Sequence, residues 1–135
     1  MKQAVAIRGS SSSQLLCYWA MAIIVDDGSL ADGSEIPIDP GLNTGVTKCI
    51  RVSTGFYNVY PMPPVLPKRS HAVPSYIGSD IHQVDLSETR VGIPAPDTGL
   101  CFQGNPTETY TEVNRFNLSG GPENGSFSIE FKSFP

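Results

Sequence analysis

The sequence predicts an all-β protein, an antiparallel β-sandwich of jelly-roll type with long Pro/Gly-rich loops, and three observations carry that reading. Two strand-like runs, Lys48 to Ser53 and Phe56 to Tyr60, are joined by Thr54-Gly55, the pattern of a β-hairpin. Near the other end Phe127, Ile129 and Phe131 alternate with Ser126, Ser128 and Glu130, a clear period of two. No stretch of ten or more residues shows a convincing helical period, while Gly 13 and Pro 12 in 135 residues punctuate the chain with turns.

Taken in order, Lys2 to Arg8 reads as a strand or arm, and residues 1–14 close on a Ser-rich connector. Leu15 to Val25 is an apolar run of 11 residues, too short for the ~20 that span a bilayer. Asp26-Asp27 follow at once, where a signal peptide would have a small-residue cleavage site, so a core strand apolar on both faces is the better reading. Residues 26–45 carry turn chemistry (Asp27-Gly28, Asp32-Gly33, Asp39-Pro40-Gly41) and read as an extended loop, with Ile36 and Ile38 offering a short edge pairing. In the hairpin, a two-residue turn would place Val52 opposite Tyr57 and Ile50 opposite Val59, all four on the core face. Pro61, Pro63, Pro64 and Pro67 make 61–70 a second extended connection. Strands are then expected at His71 to Ile77, Ile81 to Leu86, Leu100 to Gln103, Thr107 to Leu118 and Ser126 to Phe131. Residues 1–135 are expected to form a single domain of eight or nine short strands.

The composition excludes more functions than it suggests. A net charge of −4 with scattered basic residues, Lys68-Arg69 being the only adjacent pair, argues against nucleic-acid binding. Cys17, Cys49 and Cys101 are an odd number at wide spacings, which fits neither a disulfide framework nor a zinc site and points to a reducing compartment of assembly. Asp97-Thr98-Gly99 matches the aspartic-protease triplet, yet Pro94-Ala95-Pro96 precede it, and it reads as a turn. His71 and His82 lack metal-like neighbours, Ser10 to Ser13 lie in a linker, and Gly120-Gly121-Pro122 and Asn124-Gly125 have no following helix to form a phosphate cradle. The sequons at Asn117 and Asn124 bear on function only in a secreted chain and read as chance. No catalytic residue, cofactor, metal or membrane contact is expected. Aromatic residues such as Tyr18, Trp19 and Tyr60 could form a sugar-stacking platform, but core and subunit contacts are their commoner uses.

The region from about Val46 to Pro135 resembles the small jelly-roll modules of bacteriophage virion proteins, which are capsid decoration proteins and fibre tips, similar in turn to the tumour-necrosis-factor-like jelly roll. The resemblance rests on Val52-Ser53-Thr54-Gly55-Phe56-Tyr57-Asn58-Val59, on the Pro-rich stretch leading into His71 to Ile77, and on Asn124-Gly125-Ser126-Phe127-Ser128-Ile129-Glu130-Phe131. It implies a homotrimer without catalytic residues. A fibre needs a shaft that this sequence lacks, so the first expectation is a capsid decoration (cement) protein of the virion. Such a protein would assemble in the host cytoplasm, bind the major capsid protein, and bridge subunits with the loops at 26–45 and 61–70. The alternative is a receptor- or carbohydrate-binding fibre-tip module. Trp19, Tyr60 and Phe134 are the expected interface anchors.

Overall fold

A computed structural model describes residues 4–8, 14–77 and 99–133. Those residues form a β-sandwich of two four-stranded antiparallel sheets. The strands are β1 (Ala4–Arg8), β2 (Gln14–Ile24), β3 (Val46–Ser53), β4 (Phe56–Pro61), β5 (Ser70–Tyr76), β6 (Leu100–Pro106), β7 (Thr111–Phe116) and β8 (Phe127–Ser133). One sheet has the order β1-β2-β8-β5 and the other β3-β4-β7-β6. Pro74 falls in β5, at the edge of its sheet, where a residue without an N–H leaves no ladder bond unmade on the open side.

The core lies between the sheets. Ala20, Ala22 and Ile24 of β2 face inward beside Phe127, Ile129 and Phe131 of β8, and Tyr57, Val59, Val113 and Cys49 meet them from the other sheet. The small alanines of β2 sit directly opposite large residues of β8, Ala20 against Phe131 and Ala22 against Ile129, so the layer interdigitates without overfilling. Tyr57 and Phe127 cross edge to face, 4.9 Å between centroids, which joins the two sheets.

The hairpin turn is the expected one, for Ser53 pairs with Phe56 and Gly55 takes φ +78°. A Cβ at Gly55 would lie 2.6 Å from the Arg115 carbonyl oxygen, so the position requires glycine in both conformation and space. The register beyond the turn differs from expectation. Arg51 pairs with Tyr57 and Cys49 with Val59, because an irregularity between Arg51 and Ser53 leaves Val52 without a partner. This one-residue slip moves the strand's alternate set to the other face. Val52 is 50% exposed and Ile50 turns half-buried to the outside, whereas Arg51 is 2% exposed.

Other boundaries shift for local reasons. Thr107 to Tyr110 is a turn and not the start of β7: the Thr107 N–H donates to the Tyr110 carbonyl, and the Thr107 hydroxyl oxygen accepts from the Thr109 and Tyr110 N–H groups. The 61–70 stretch is folded back and not extended, since Met62 to Val65 closes a turn, Pro67–Arg69 forms one 3-10 turn, and Pro61, Val65 and Pro67 are buried. The strand expected at Ile81 to Leu86 lies outside the described residues.

Residues 26–45 are irregular but pinned. Pro37, Asp39 and Thr44 exchange main-chain bonds with Val25, Ile23 and Met21, while Gly33, Ser34 and Ile36 bond to Arg51 and Cys49. The segment therefore covers β3, an edge strand, and the part of β2 that β1 does not reach. Ile36, 1% exposed, plugs the core from that side.

Ile129→Ala is expected to cost about 2–5 kcal/mol in denaturant unfolding, whereas Val52→Ala stays within about 0.5 kcal/mol. Equal losses at the two positions would contradict the slipped register.

Candidate functional site

Two surfaces and one buried network concentrate the chemistry of the described residues. The network lies at the hairpin-turn end of the sandwich, where Arg51, forced inward by the bulge, directs its guanidinium at Asp26. Nη1 donates to both carboxylate oxygens at 2.9 and 2.7 Å, Nε reaches Asp32 at 3.2 Å, and Nη2 donates to the Leu30 carbonyl. Asp26 also receives the Tyr57 hydroxyl at 2.6 Å, and that hydroxyl oxygen accepts the Gly125 N–H at 2.9 Å. Burying a charge is tolerable only with such full pairing.

Arg115 of β7 repeats the arrangement. It donates to Glu123 Oε1 at 2.8 Å and to the carbonyls of Ser126 and Ile77 at 3.0 and 2.6 Å, with its guanidinium 4.1 Å from the Tyr76 ring centroid. Gly125 is glycine for this reason, because a Cβ there would overlap the Arg115 guanidinium. Both arginines are spent on internal partners, so the network holds loops in place.

The first surface is the outer face of the β3-β4-β7-β6 sheet. Phe102 and Phe116 stack at 5.5 Å and Phe56 meets Phe116 edge to face at 6.0 Å, with Leu100 directly opposite Phe116. Leu100 is 63% and Phe102 46% exposed, so an aromatic cluster lies open on a sheet face. Its residues sit on one side because Leu100, Phe102, Phe116 and Phe56 occupy the outward set of their ladders, opposite the inward Cys101, Arg115 and Tyr57.

The second surface is a groove of about 180 Å³ at the other end of the sandwich, lined by Thr47, Lys48, Tyr60, the 61–67 turn, Glu108 and Thr109. Lys48 Nζ rests 4.7 Å from the Tyr60 ring centroid, and Tyr60 leans on Tyr110 at 5.2 Å.

The residues singled out in the sequence fare unequally. Trp19 is half-buried and its indole N–H donates to Glu130 at 2.8 Å. Tyr60 borders both surfaces. Phe134, Asp97, His82 and Ser10 to Ser13 lie outside the described residues. His71 is exposed on β5, and no group of three or more His, Cys, Asp or Glu that could hold a metal occurs among the described residues. Cys17, Cys49 and Cys101 are free thiols, the first two buried. Gly120-Gly121 lie in a turn that Asn117 caps by accepting from Ser119 and Gly121, whereas Asn124-Gly125 is irregular chain leading into β8. No helix of the described residues is long and apolar enough to cross a membrane, and Leu15 to Ile24 lies within β2. The aromatic outer face was missed because Gly104-Asn105-Pro106 hides the alternation of β6. Leu100 and Phe102 were the available signal.

No family model, curated protein or solved structure matches the chain.

Two expectations follow from the buried groups. Arg51→Ala strands the Asp26 carboxylate and should cost about 3–5 kcal/mol in urea unfolding; a loss under 1 kcal/mol would show the pair to be dispensable. Burial pushes the Cys49 thiol and the Tyr57 hydroxyl well up and the Cys101 thiol up to about 12. The unfolded chain then loses these protons first, so stability is full below the ordinary thiol value of about 8.5 and falls as pH rises above it. Urea midpoints between pH 7 and 11 check the sign, and a rising midpoint would refute it.

Proposed function

We propose that the chain is a non-enzymatic structural module of a virus particle, a capsid decoration protein that associates as a homotrimer and binds the major capsid protein. The observation that carries this reading is the open aromatic face of the β3-β4-β7-β6 sheet. Apolar surface of this kind is costly to leave in water and is the usual core of a subunit interface. A second copy is the proposed occupant, laying a different patch of its surface on this face, as the heterologous contacts of a cyclic trimer require. The strand order supports the jelly-roll resemblance. Strand β8 lies between β2 and β5, and β7 pairs with β4, so the chain passes between the sheets, while β1-β2, β3-β4 and β6-β7 pair as sequential neighbours.

One support for the bridging role is weaker than the sequence promised. The 26–45 and 61–70 segments fold onto their own sandwich, so contact with a capsid falls to faces and grooves instead of reaching arms. The carbohydrate-binding alternative keeps one favourable observation, the tyrosine pair beside Lys48.

Light scattering should report a species of three times the 14.5 kDa chain mass, and Phe102→Glu should reduce it to a monomer while leaving the circular dichroism spectrum unchanged. Cosedimentation with purified phage heads tests the partner. A monomeric wild-type chain that ignores heads and binds a defined glycan on an array would replace this reading with the receptor-binding one.

A further inference from the structure

The groove at the 61–67 turn has a composition that selects its occupant. Its floor is apolar and rigid: Val65 is 1% exposed, and Pro61 and Pro67 are buried beside it. Prolines carry no N–H, so this floor offers carbonyls and ring carbons but few donors. Lys48 stands on one wall, and among the described residues its ammonium has no carboxylate partner, only the Tyr60 ring. Lys68 on the rim is matched by Glu108 at 3.2 Å, and exposed Arg69 follows in the same turn without an ion pair among the described residues. In a chain of net charge −4 this end is locally basic, while Asp26, Asp27, Asp32 and Glu123 lie with the hairpin turn at the opposite end.

We propose that this groove docks an extended acidic peptide segment of a partner protein. One aliphatic or aromatic side chain enters the floor and a neighbouring carboxylate meets Lys48. The inference rests on reading the chain as a subunit-binding module and names the chemistry its partner must present. A saccharide fits less well, for its hydroxyls need several fixed donors and acceptors on every side, whereas the polar groups here (the Thr47, Thr109 and Tyr60 hydroxyls, Lys48 and Glu108) stand around an apolar floor of Val65 and prolines. A peptide side chain needs the dry floor, and its carboxylate needs the free cation.

The test uses the full chain, isotope-labelled, titrated with the peptide acetyl-Ser-Glu-Phe-Glu-Ser-amide and with its Gln-for-Glu counterpart. The acidic peptide should shift the amides of Thr47, Lys48, Tyr60, Leu66 and Thr109, and the effect should weaken in high salt. The neutral peptide should bind about tenfold less well. Lys48→Ala should lose a similar factor, Lys48→Arg should keep binding, and Leu66→Glu, at a 40% exposed position, should block the groove by repulsion with the fold intact. Equal binding of the two peptides, shifts confined to the Phe102–Phe116 face, or displacement from the groove by glucuronic acid in place of peptide would overturn the proposal. The peptide titration reads only this groove, so it can fail while the wild-type chain still forms a trimer, and a monomeric chain can still bind the acidic peptide here.

Discussion

A buried arginine sets the geometry of this sandwich. Taking the Arg51 guanidinium and the Asp26 carboxylate out of water carries a penalty of several kcal/mol per ion, which only a near-complete set of partners offsets. The carboxylate accepts two guanidinium bonds and the Tyr57 hydroxyl, and the guanidinium is completed by Asp32 and the Leu30 carbonyl. Those partners come from the 26–35 segment and from β4, so the pair cannot form unless that segment lies along β3. The bulge at Val52 is the backbone adjustment that lets Arg51 point inward while the Thr54-Gly55 turn keeps its two-residue form. One ionic contact thus decides a strand's facing and fixes the course of a long connection.

The second arginine extends the same logic across the sheets. Arg115 belongs to β7 but bonds to the carbonyls of Ile77 and Ser126, at the ends of strands in the opposite sheet. Ser126 Oγ accepts the Asp26 N–H, and Gly125 joins Tyr57, so the Arg51 and Arg115 networks meet at Gly125-Ser126. Hydrogen bonds to charged groups are worth more than neutral ones and are directional. This end of the sandwich is consequently latched by polar contacts, whereas the groove end relies on Pro61, Val65 and Pro67 packing against the core. Among the described residues, the division leaves Lys48 without an ion pair at the end away from the buried Asp26 carboxylate.

How much of this was legible in the sequence depends on whether a signal was local. The strand pattern of β8 and the Thr54-Gly55 turn are local, and both stand as read. The strand character of Leu15 to Ile24 was readable for the same reason. The facing of β3 was not, because an alternation rule places Ile50 and Val52 inside and cannot weigh an arginine whose acceptors lie 19 and 25 residues away. The indole N–H of Trp19 is a similar case, for its acceptor, Glu130, lies 111 residues distant.

The arrangement of edges and faces bears on how the module associates. Strand addition at an edge is the cheapest route to self-assembly, since it needs only unpaired main-chain groups. Here the 26–45 segment occupies the β3 edge and the free part of the β2 edge with its own main-chain bonds, which removes that route on one side of the sandwich. Association there is left to side chains, and the outer face of the β3-β4-β7-β6 sheet presents Phe56, Phe102, Phe116 and Leu100 as one apolar cluster beside its polar positions. A chain that seals this edge while leaving an aromatic face open favours a defined, side-chain-specified contact over open-ended strand pairing.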